Sequence, residues 1–444
     1  MAPESVLLAT PRWTRDGGVG AHVQASAAAL ARHGVPVGVV AARVDAGTAA
    51  PGVTVHHAPR LFDAAAPLPE RLGGALSASP EVIHLHQIDD PALVKALRGH
   101  APVAISAHAY TACTSGLHHL QPGRECTRGH GPGCAVYPAL GGCAPVRHPK
   151  TLPAKYRNAG RGLAALRAAD IAIVYSRAVE RHLADNGLAR RAIVPLFPTL
   201  PPARIGDATR TDGEATTADG DATRAHLDAT RAHLDATGAN ADAARRRVVF
   251  AGRISAPKGL DVLLRAVGDL DAELVVCGDG VRLEATRRLA RRLGIEGRVA
   301  FRGWLDADDL ARELADAAVL ALPSRWPEPF GLVGIEALAA GRPVVASLAG
   351  GVRDWLQDGV NGLGVPPADP RALARALEQL LDDPERRRAM GEAGRELVAA
   401  RFSPGRHVEA LVEGYEAAQS GWRGTPPRSR RGSSSTPCPS IQRT

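Results

Sequence analysis

The stretch "WPEPFGLVGIEALAAGRPVV", residues 326–345, holds two glutamates eight positions apart: Glu328 in a proline-flanked turn and Glu336 inside a helical pattern. The helix is expected to start near Leu332 and to end before Gly341, with Gly331 allowing close backbone approach at its N-terminus. Carboxylates accept hydrogen bonds, so two of them beside a helix start suit a ligand that carries hydroxyl groups as well as negative charge. Helix-dipole complementarity would account for one glutamate near a helix start. It does not account for Glu328 in its turn.

Upstream, "VVFAGRISAPKGLDVLLRAV" (248–267) reads as strand, loop and helix. Arg253 leaves the strand end, and Lys258 precedes Gly259 and the helix. Two cations and a helix N-terminus offered to one anion make a phosphate site; the competing reading is a pair of solvated surface charges. Lysine is scarce here, only Lys95, Lys150, Lys155 and Lys258 among 54 basic residues, which favours the phosphate reading. A diphosphate flanked by ribose and sugar hydroxyls would use both the cations and the carboxylates.

These residues must be positioned by something large. The chain has 444 residues, enough for two domains. A hydrophobic content of 45% and a mean hydropathy of −0.10 are those of a globular protein. No apolar run approaches a membrane span, and "MAPESVLLATPRW" lacks a basic start, so it reads as a first strand and a cytoplasmic location is the expectation. The net charge is +8 and the pI near 9.5. Nucleic acid is disfavoured, because aromatic residues for base stacking are only 4% of the chain. An anionic small molecule and peripheral contact with an anionic membrane both stay open.

From residue 5 to about 201, runs such as "SVLLAT", "VPVGVVAARV", "EVIHLHQ", "APVAISAHAY" and "IAIVYS" alternate with helical patterns. Alternation of this kind implies a parallel sheet covered on both faces. Residues 202–245 are rich in Ala, Thr and Asp and repeat "ATRAHLD", which reads as a flexible linker. Alternation resumes over 246–402. A last helix is expected at 403–419 with Ser403 as its N-cap, followed by a Pro/Ser/Arg-rich disordered tail at 420–444. The fold class is therefore α/β, two doubly wound Rossmann-like domains whose strand C-termini face each other across a cleft.

Together "FAGRISAPKGLDVLLRA", "VVCGDG" and "VAFRGWLDADDLARELADAAVLALPSRWPEPFGLVGIEALAAGRPVVASLAGGVRDWLQDGVNG" resemble the retaining glycosyltransferases of family 4, which have the GT-B fold. The resemblance covers the second domain almost completely and the first more loosely. It implies that Glu336 binds the ribose hydroxyls and that Glu328 contacts the donor sugar near the reacting centre. It implies that Arg253 and Lys258 neutralise the leaving diphosphate, with N–H groups around Gly331, Leu332 and Val333 adding hydrogen bonds and Gly278 of "VVCGDG" belonging to the donor site. In the first domain, Gly17 and Gly18 would meet the donor phosphate and acceptor, and His108 would line the reaction centre; a tight turn and a satisfied structural histidine are the competing readings. The last helix would cross back onto the first domain. Sugar transfer with retention, by same-face attack and without a catalytic metal, is the implied mechanism. Of the two Asp-x-Asp strings, Asp306/Asp308 reads as an N-cap with its first turn, and Asp219/Asp221 lies in the linker.

Three departures touch the acceptor side: Ala109 after His108, Asp354 in "GGVRD", and "VPLFPTL" before the linker. The long loop 110–152 carries Cys113, Cys126, Cys134 and Cys143. A loop of that length asks for something to order it. Structural zinc, with His118, His130 or His148 as substitute ligands, and unliganded thiols stand side by side as readings. Cys277 reads as a buried core residue.

The implied activity is transfer of a hexose from a nucleoside-diphosphate sugar to a saccharide, lipid or natural-product acceptor. Two alternatives are a GT-B sugar-nucleotide 2-epimerase and a catalytically silent sugar-nucleotide-binding protein whose cysteine loop senses metal or redox state.

Overall fold

The structure, a computed structural model, describes residues 3–14, 17–45, 50–72, 80–121, 124–138, 143, 149–201 and 246–422. The expected linker 202–245, with Asp219 and Asp221, and the tail beyond 422 lie outside the described residues.

The first domain is built on a seven-stranded parallel sheet of β1 (Val6–Trp13), β2 (Val37–Val44), β3 (Val53–His57), β4 (Val82–His86), β5 (Val103–Ala107), β8 (Ile171–Val174) and β9 (Arg191–Ile193). Its order is β3-β2-β1-β4-β5-β8-β9. Between β5 and β8 the chain forms a small antiparallel hairpin, β6 (His119–Gln121) and β7 (Arg124–Glu125), and a one-turn helix, Gly133–Val136. The long loop 110–152 is thus partly structured, although few apolar residues announce it.

The second sheet contains β10 (Arg247–Ala251), β11 (Glu273–Cys277), β12 (Val299–Gly303), β13 (Val319–Leu322), β14 (Val344–Ser347) and β15 (Gly362–Val365), in the order β12-β11-β10-β13-β14-β15. Every pairing in both large sheets is parallel. The central strands read as uninterrupted apolar runs, "VLAL" in β13 for example, because helices cover both faces.

In each sheet the chain order reverses beside the first strand: β1 lies between β2 and β4, and β10 between β11 and β13. Crevices open at such reversals, outside the strand C-termini. The loop carrying Arg253 and Lys258 follows β10, and the loop carrying Glu328 follows β13, so both flank one crevice.

Three helices matter for the site: α1 (Gly17–Arg32) and, counting helices in chain order, α10 (Leu332–Ala339) and α13 (Pro404–Gly421). Helix α13 starts where the sequence predicts, with the Ser403 side chain accepting from Arg406 N. It runs two residues past its expected end, and Trp422 then donates its indole N–H to Arg98 O at 2.7 Å. That contact takes in Trp422, the third residue of the expected tail. The helix packs on the first domain: Ser26 Oγ lies 2.9 Å from His407 Nε2, and His84 Nδ1 lies 2.8 Å from Tyr415 OH.

Candidate active site

Lys258 ends a single 3-10 turn (Ala256–Lys258) and is followed by Gly259 at φ +70°. A Cβ on Gly259 would stand 2.0 Å from Pro323 O. Only glycine lets the loop after β10 lie this close to the loop after β13. Arg325 N donates to Pro257 O at 2.7 Å, and the Arg325 guanidinium pairs with Asp261, tying the same two loops together.

This approach brings Lys258 to Glu328. Lys258 Nζ donates to both carboxylate oxygens, at 2.9 and 3.0 Å, while Trp326 Nε1 donates to Oε1 at 3.0 Å and Ser324 Oγ donates to the same oxygen. Glu328 is 2% exposed. Three donors on one buried carboxylate fix its position, which a loop residue otherwise lacks. Its backbone is held as well: Gly351 N donates to Glu328 O at 2.7 Å, and Tyr110 OH from the first domain reaches the same oxygen at 3.4 Å. Arg253 is exposed beyond the end of β10 and takes no part in this cluster.

Helix α10 begins after Gly331, whose φ of +85° needs glycine. Gly334 N already bonds to Gly331 O, leaving the N–H groups of Leu332 and Val333 as first-turn donors. A Cβ on Gly18 would lie 3.8 Å from Leu332 Cδ2. The Gly17–Gly18 start of α1 therefore meets the start of α10, and two helix N-termini converge across the crevice. Glu336 is buried one turn inside α10; its Oε1 accepts from Thr199 Oγ1 at 3.0 Å and from Thr199 N at 3.4 Å. Burial pushes its pKa up to about 7, and the Thr199 hydrogen bonds pull the other way. Gly278 follows β11 at φ +151°, where a Cβ would stand 2.0 Å from Gly252 O. Its glycine is explained by backbone contact between adjacent strand ends.

On the first-domain side, His108 follows β5. Its Nε2 lies 3.1 Å from His86 Nδ1, and its ring stacks on Tyr175 at 5.1 Å. Burial lowers its pKa to about 4, so the imidazole is neutral near pH 7. His84, His86, His22 and His407 extend the cluster, joined through Ser106, Ser26, Tyr175 and Tyr415. Desolvation by burial lowers the pKa of each of these four histidines, to about 3 for His84 and about 4 for His407.

The cysteine loop follows His108 in the chain. Cys113, Cys126, Cys134 and Cys143 line one small cavity together with His118, His130, His182 and Arg128. Burial, then the neighbouring thiols of Cys126, Cys113 and Cys134, push the Cys143 thiol up to about 11. Among the described residues, no three His, Cys, Asp or Glu side chains already stand at ligation geometry. The loop also touches the second domain, where Glu125 Oε1 accepts from Gly350 N at 2.8 Å. Asp306 is an N-cap, as its sequence context indicates, accepting from Asp309 N at 2.8 Å. Asp354, one of the departures, accepts from Arg177 N across the domain junction at 2.7 Å.

The structure thus brings together Lys258, Glu328, Glu336, Gly331, Leu332, Val333 and Gly18, and sets His108 in a separate histidine network. Sequence reasoning missed Ser324, Trp326, Tyr110, Thr199 and Glu125. Ser324 and Trp326 stand four and two residues before Glu328, so an alternating extended loop was a readable signal; Thr199 and Tyr110 reach their partners only through tertiary structure.

Residues 238–397 match the model of the family described as Glycosyl transferases group 1. A D-inositol 3-phosphate glycosyltransferase of Corynebacterium kroppenstedtii is 41% identical over 183 residues, 38% of this chain and 40% of that protein. The alpha-D-kanosaminyltransferase of Streptomyces kanamyceticus is 34% identical over 161 residues, 35% of this chain and 42% of that protein. The aligned region thus spans well under half the length of these curated relatives. Among solved structures, sucrose-phosphate synthase from Thermosynechococcus elongatus superposes with a TM-score of 0.64 at 22% identity, over 93% of this chain and 98% of that one. Anabaena HepE, in complex with UDP and glucose, gives 0.62 at 17% identity, over 93% of this chain and all of that one. The fold is GT-B.

Proposed function

We propose that the chain is a retaining glycosyltransferase that moves a hexose from a nucleoside-diphosphate sugar to an acceptor hydroxyl. The observation that carries this reading is the Lys258–Glu328 pair at the chain reversal of the second sheet, with Glu336 one turn inside the adjoining helix. A cation, two first-turn N–H groups and two carboxylates at fixed spacing match a diphosphate lying between two hydroxyl-bearing rings. The match of residues 238–397 to the group 1 family, and the likeness to glycosyltransferases over that part of the chain, support the same reading.

In this reading Glu336 accepts from the ribose hydroxyls. Ser324, Trp326 and Lys258 hold Glu328 so that it faces the donor sugar. Lys258, Arg253 and the N–H groups of Leu332 and Val333 take up the charge that develops on the leaving diphosphate; preorganised donors of this kind are commonly worth about 3 kcal/mol each. The C1–O bond to the diphosphate breaks, the acceptor oxygen attacks C1 from the same face, and the acceptor proton passes to the departing phosphate oxygen. Gly17 and Gly18, at the start of α1, meet the donor phosphate and the acceptor, and His108 lines the reaction centre.

The test is a thermal-shift panel of UDP, GDP and ADP on wild-type protein and Glu336→Ala, followed by product analysis with the matching nucleotide sugar. One nucleotide should stabilise the wild type and fail to stabilise the variant. If no nucleotide stabilises folded protein, the donor-site reading is wrong.

A further inference from the structure

Four cysteines from a stretch of thirty-one residues border one cavity of about 20 Å³, room for a single atom of water size. None is in a disulfide. Cys113 Sγ accepts from His118 N at 3.3 Å and lies 3.3 Å from Ser115 Oγ. Burial raises the Cys126 thiol above its ordinary pKa, and a backbone hydrogen bond from Arg128, two residues on, acts in the opposite sense. Main-chain N–H groups aimed at sulfur stabilise thiolate more than thiol, because a charged acceptor makes the stronger bond.

An independent observation comes from a different element. His182 lies on helix α6 (Arg177–Asp185) of the first domain, and it borders the same cavity at 2% exposure. Neither of its ring nitrogens has a hydrogen-bond partner among the described residues. A buried imidazole with both nitrogens unsatisfied is costly. Its neutral form carries one N–H, and that donor would be satisfied by a thiolate in the cavity. Arg128, on the cavity wall, supplies positive charge.

We propose that this cavity is a structural zinc site ligated by the thiolates of Cys113, Cys126, Cys134 and Cys143, with His182 and Arg128 as its outer partners. Zinc suits four sulfurs in tetrahedral array. Binding one Zn²⁺ by four thiols releases four protons to solvent and leaves a site of charge −2 beside Arg128. The four thiols border the cavity without yet standing at ligation distances, so metal entry draws the sulfurs inward onto it.

The site would order the wall that faces the second domain. His118 stacks on Tyr110 at 4.3 Å, and Tyr110 OH reaches Glu328 O; Glu125, next to Cys126, holds Gly350 N. A metal in this loop therefore fixes two contacts to the backbone around Glu328. The proposal concerns metal content and stands apart from the transferase reading.

The experiment is elemental analysis of the full chain, purified under reducing conditions, with Cys126→Ser, Cys134→Ser and Cys277→Ser alongside. About one zinc per chain is expected in wild type and in Cys277→Ser, whose cysteine lies in β11, and roughly a fivefold loss in the other two. Because the loop variants could misfold, metal-stripped wild type is also titrated with Co²⁺, which should give a thiolate-to-cobalt charge-transfer band and raise the melting temperature. Wild type free of zinc that also gives no cobalt–thiolate band overturns the proposal. So does full zinc retention in folded Cys126→Ser and Cys134→Ser, or iron and sulfide found in place of zinc.

Discussion

Thr199, in the segment leaving the first domain, donates its hydroxyl to Glu336 of the second at 3.0 Å. A hydroxyl from the protein thereby occupies one oxygen of the carboxylate proposed to receive ribose hydroxyls. Removing it in Thr199→Val takes away an interaction that lowers the Glu336 pKa. The expected result is a further upward shift, read as nucleotide binding that strengthens at a higher pH than in wild type.

Glu336 also sets a pH dependence of binding. Its pKa is about 7 in the free protein. A ligand that donates hydroxyls to the carboxylate favours the ionised form and lowers that pKa. Affinity for the stabilising nucleotide should therefore rise as pH increases through 7, with a proton released on binding near pH 7. Calorimetry in buffers of different ionisation enthalpy measures that proton, and Glu336→Gln should release none.

Changing Glu328 to Gln keeps the volume and loses the charge that faces Lys258. Transfer should fall by roughly a hundredfold or more, while nucleotide binding, measured by thermal shift, changes little. Ser324→Ala, which removes one of the donors on Oε1, should lose less, about tenfold for a bond of ~1.5 kcal/mol to a charged acceptor. Equal losses in the two variants would mean that the charge itself is not what the site uses.

Gly334 lies against Trp355, and a Cβ there would stand 2.2 Å from the ring. Trp355 is fully buried and donates its indole N–H to Phe330 O at 2.8 Å, so it has no room to move. Gly334→Ala should destabilise the protein by about 1–3 kcal/mol, measured by denaturant unfolding. It should also displace the start of α10 and weaken nucleotide binding.

Acid stability follows from the buried histidines. His84, His108 and His407 have pKa values of about 3 to 4 when folded, against an ordinary 6.5. Below pH 6.5 the unfolded chain binds protons that the folded chain refuses, so stability present at neutral pH is lost as pH falls from 6.5 towards 4. Glu336 acts in the opposite sense between about 4.5 and 7, where the folded state holds the extra proton. Three histidines outweigh one carboxylate. The melting temperature should therefore drop steeply below pH 6, and a flat profile from pH 7 to 5 would contradict this account.

The strands were largely legible because parallel strands covered on both faces are continuous apolar runs; "RRVVFAGRI" and "AVLALPS" mark β10 and β13 to within a few residues. The carboxylate pair and Lys258 were legible because strand, loop and helix follow one another within twenty residues. The partners of Glu328 were only half legible. Ser324 and Trp326 are local, whereas Tyr110 lies 218 residues away and is brought in by domain packing. The histidine network was hidden for the same reason: His22, His84, His108 and His407 come from four separated elements. Local pattern shows the alternation "HLH" in β4, but not which helix closes over it.

That closing helix has a consequence for how the protein is made. Helix α13 is the last element among the described residues, and His407 and Tyr415 on it complete the polar contacts of Ser26 and His84 in the first domain. During synthesis the seven strands of the first sheet leave the ribosome more than two hundred residues before helix α13 does. The part of the first sheet that α13 covers, β4, β5, β8 and β9, with His84, lacks that cover until the second domain has been translated. A nascent chain arrested near residue 200 should be protease-sensitive, and one released after residue 422 resistant, so that the two lobes mature together although they are separate units of architecture.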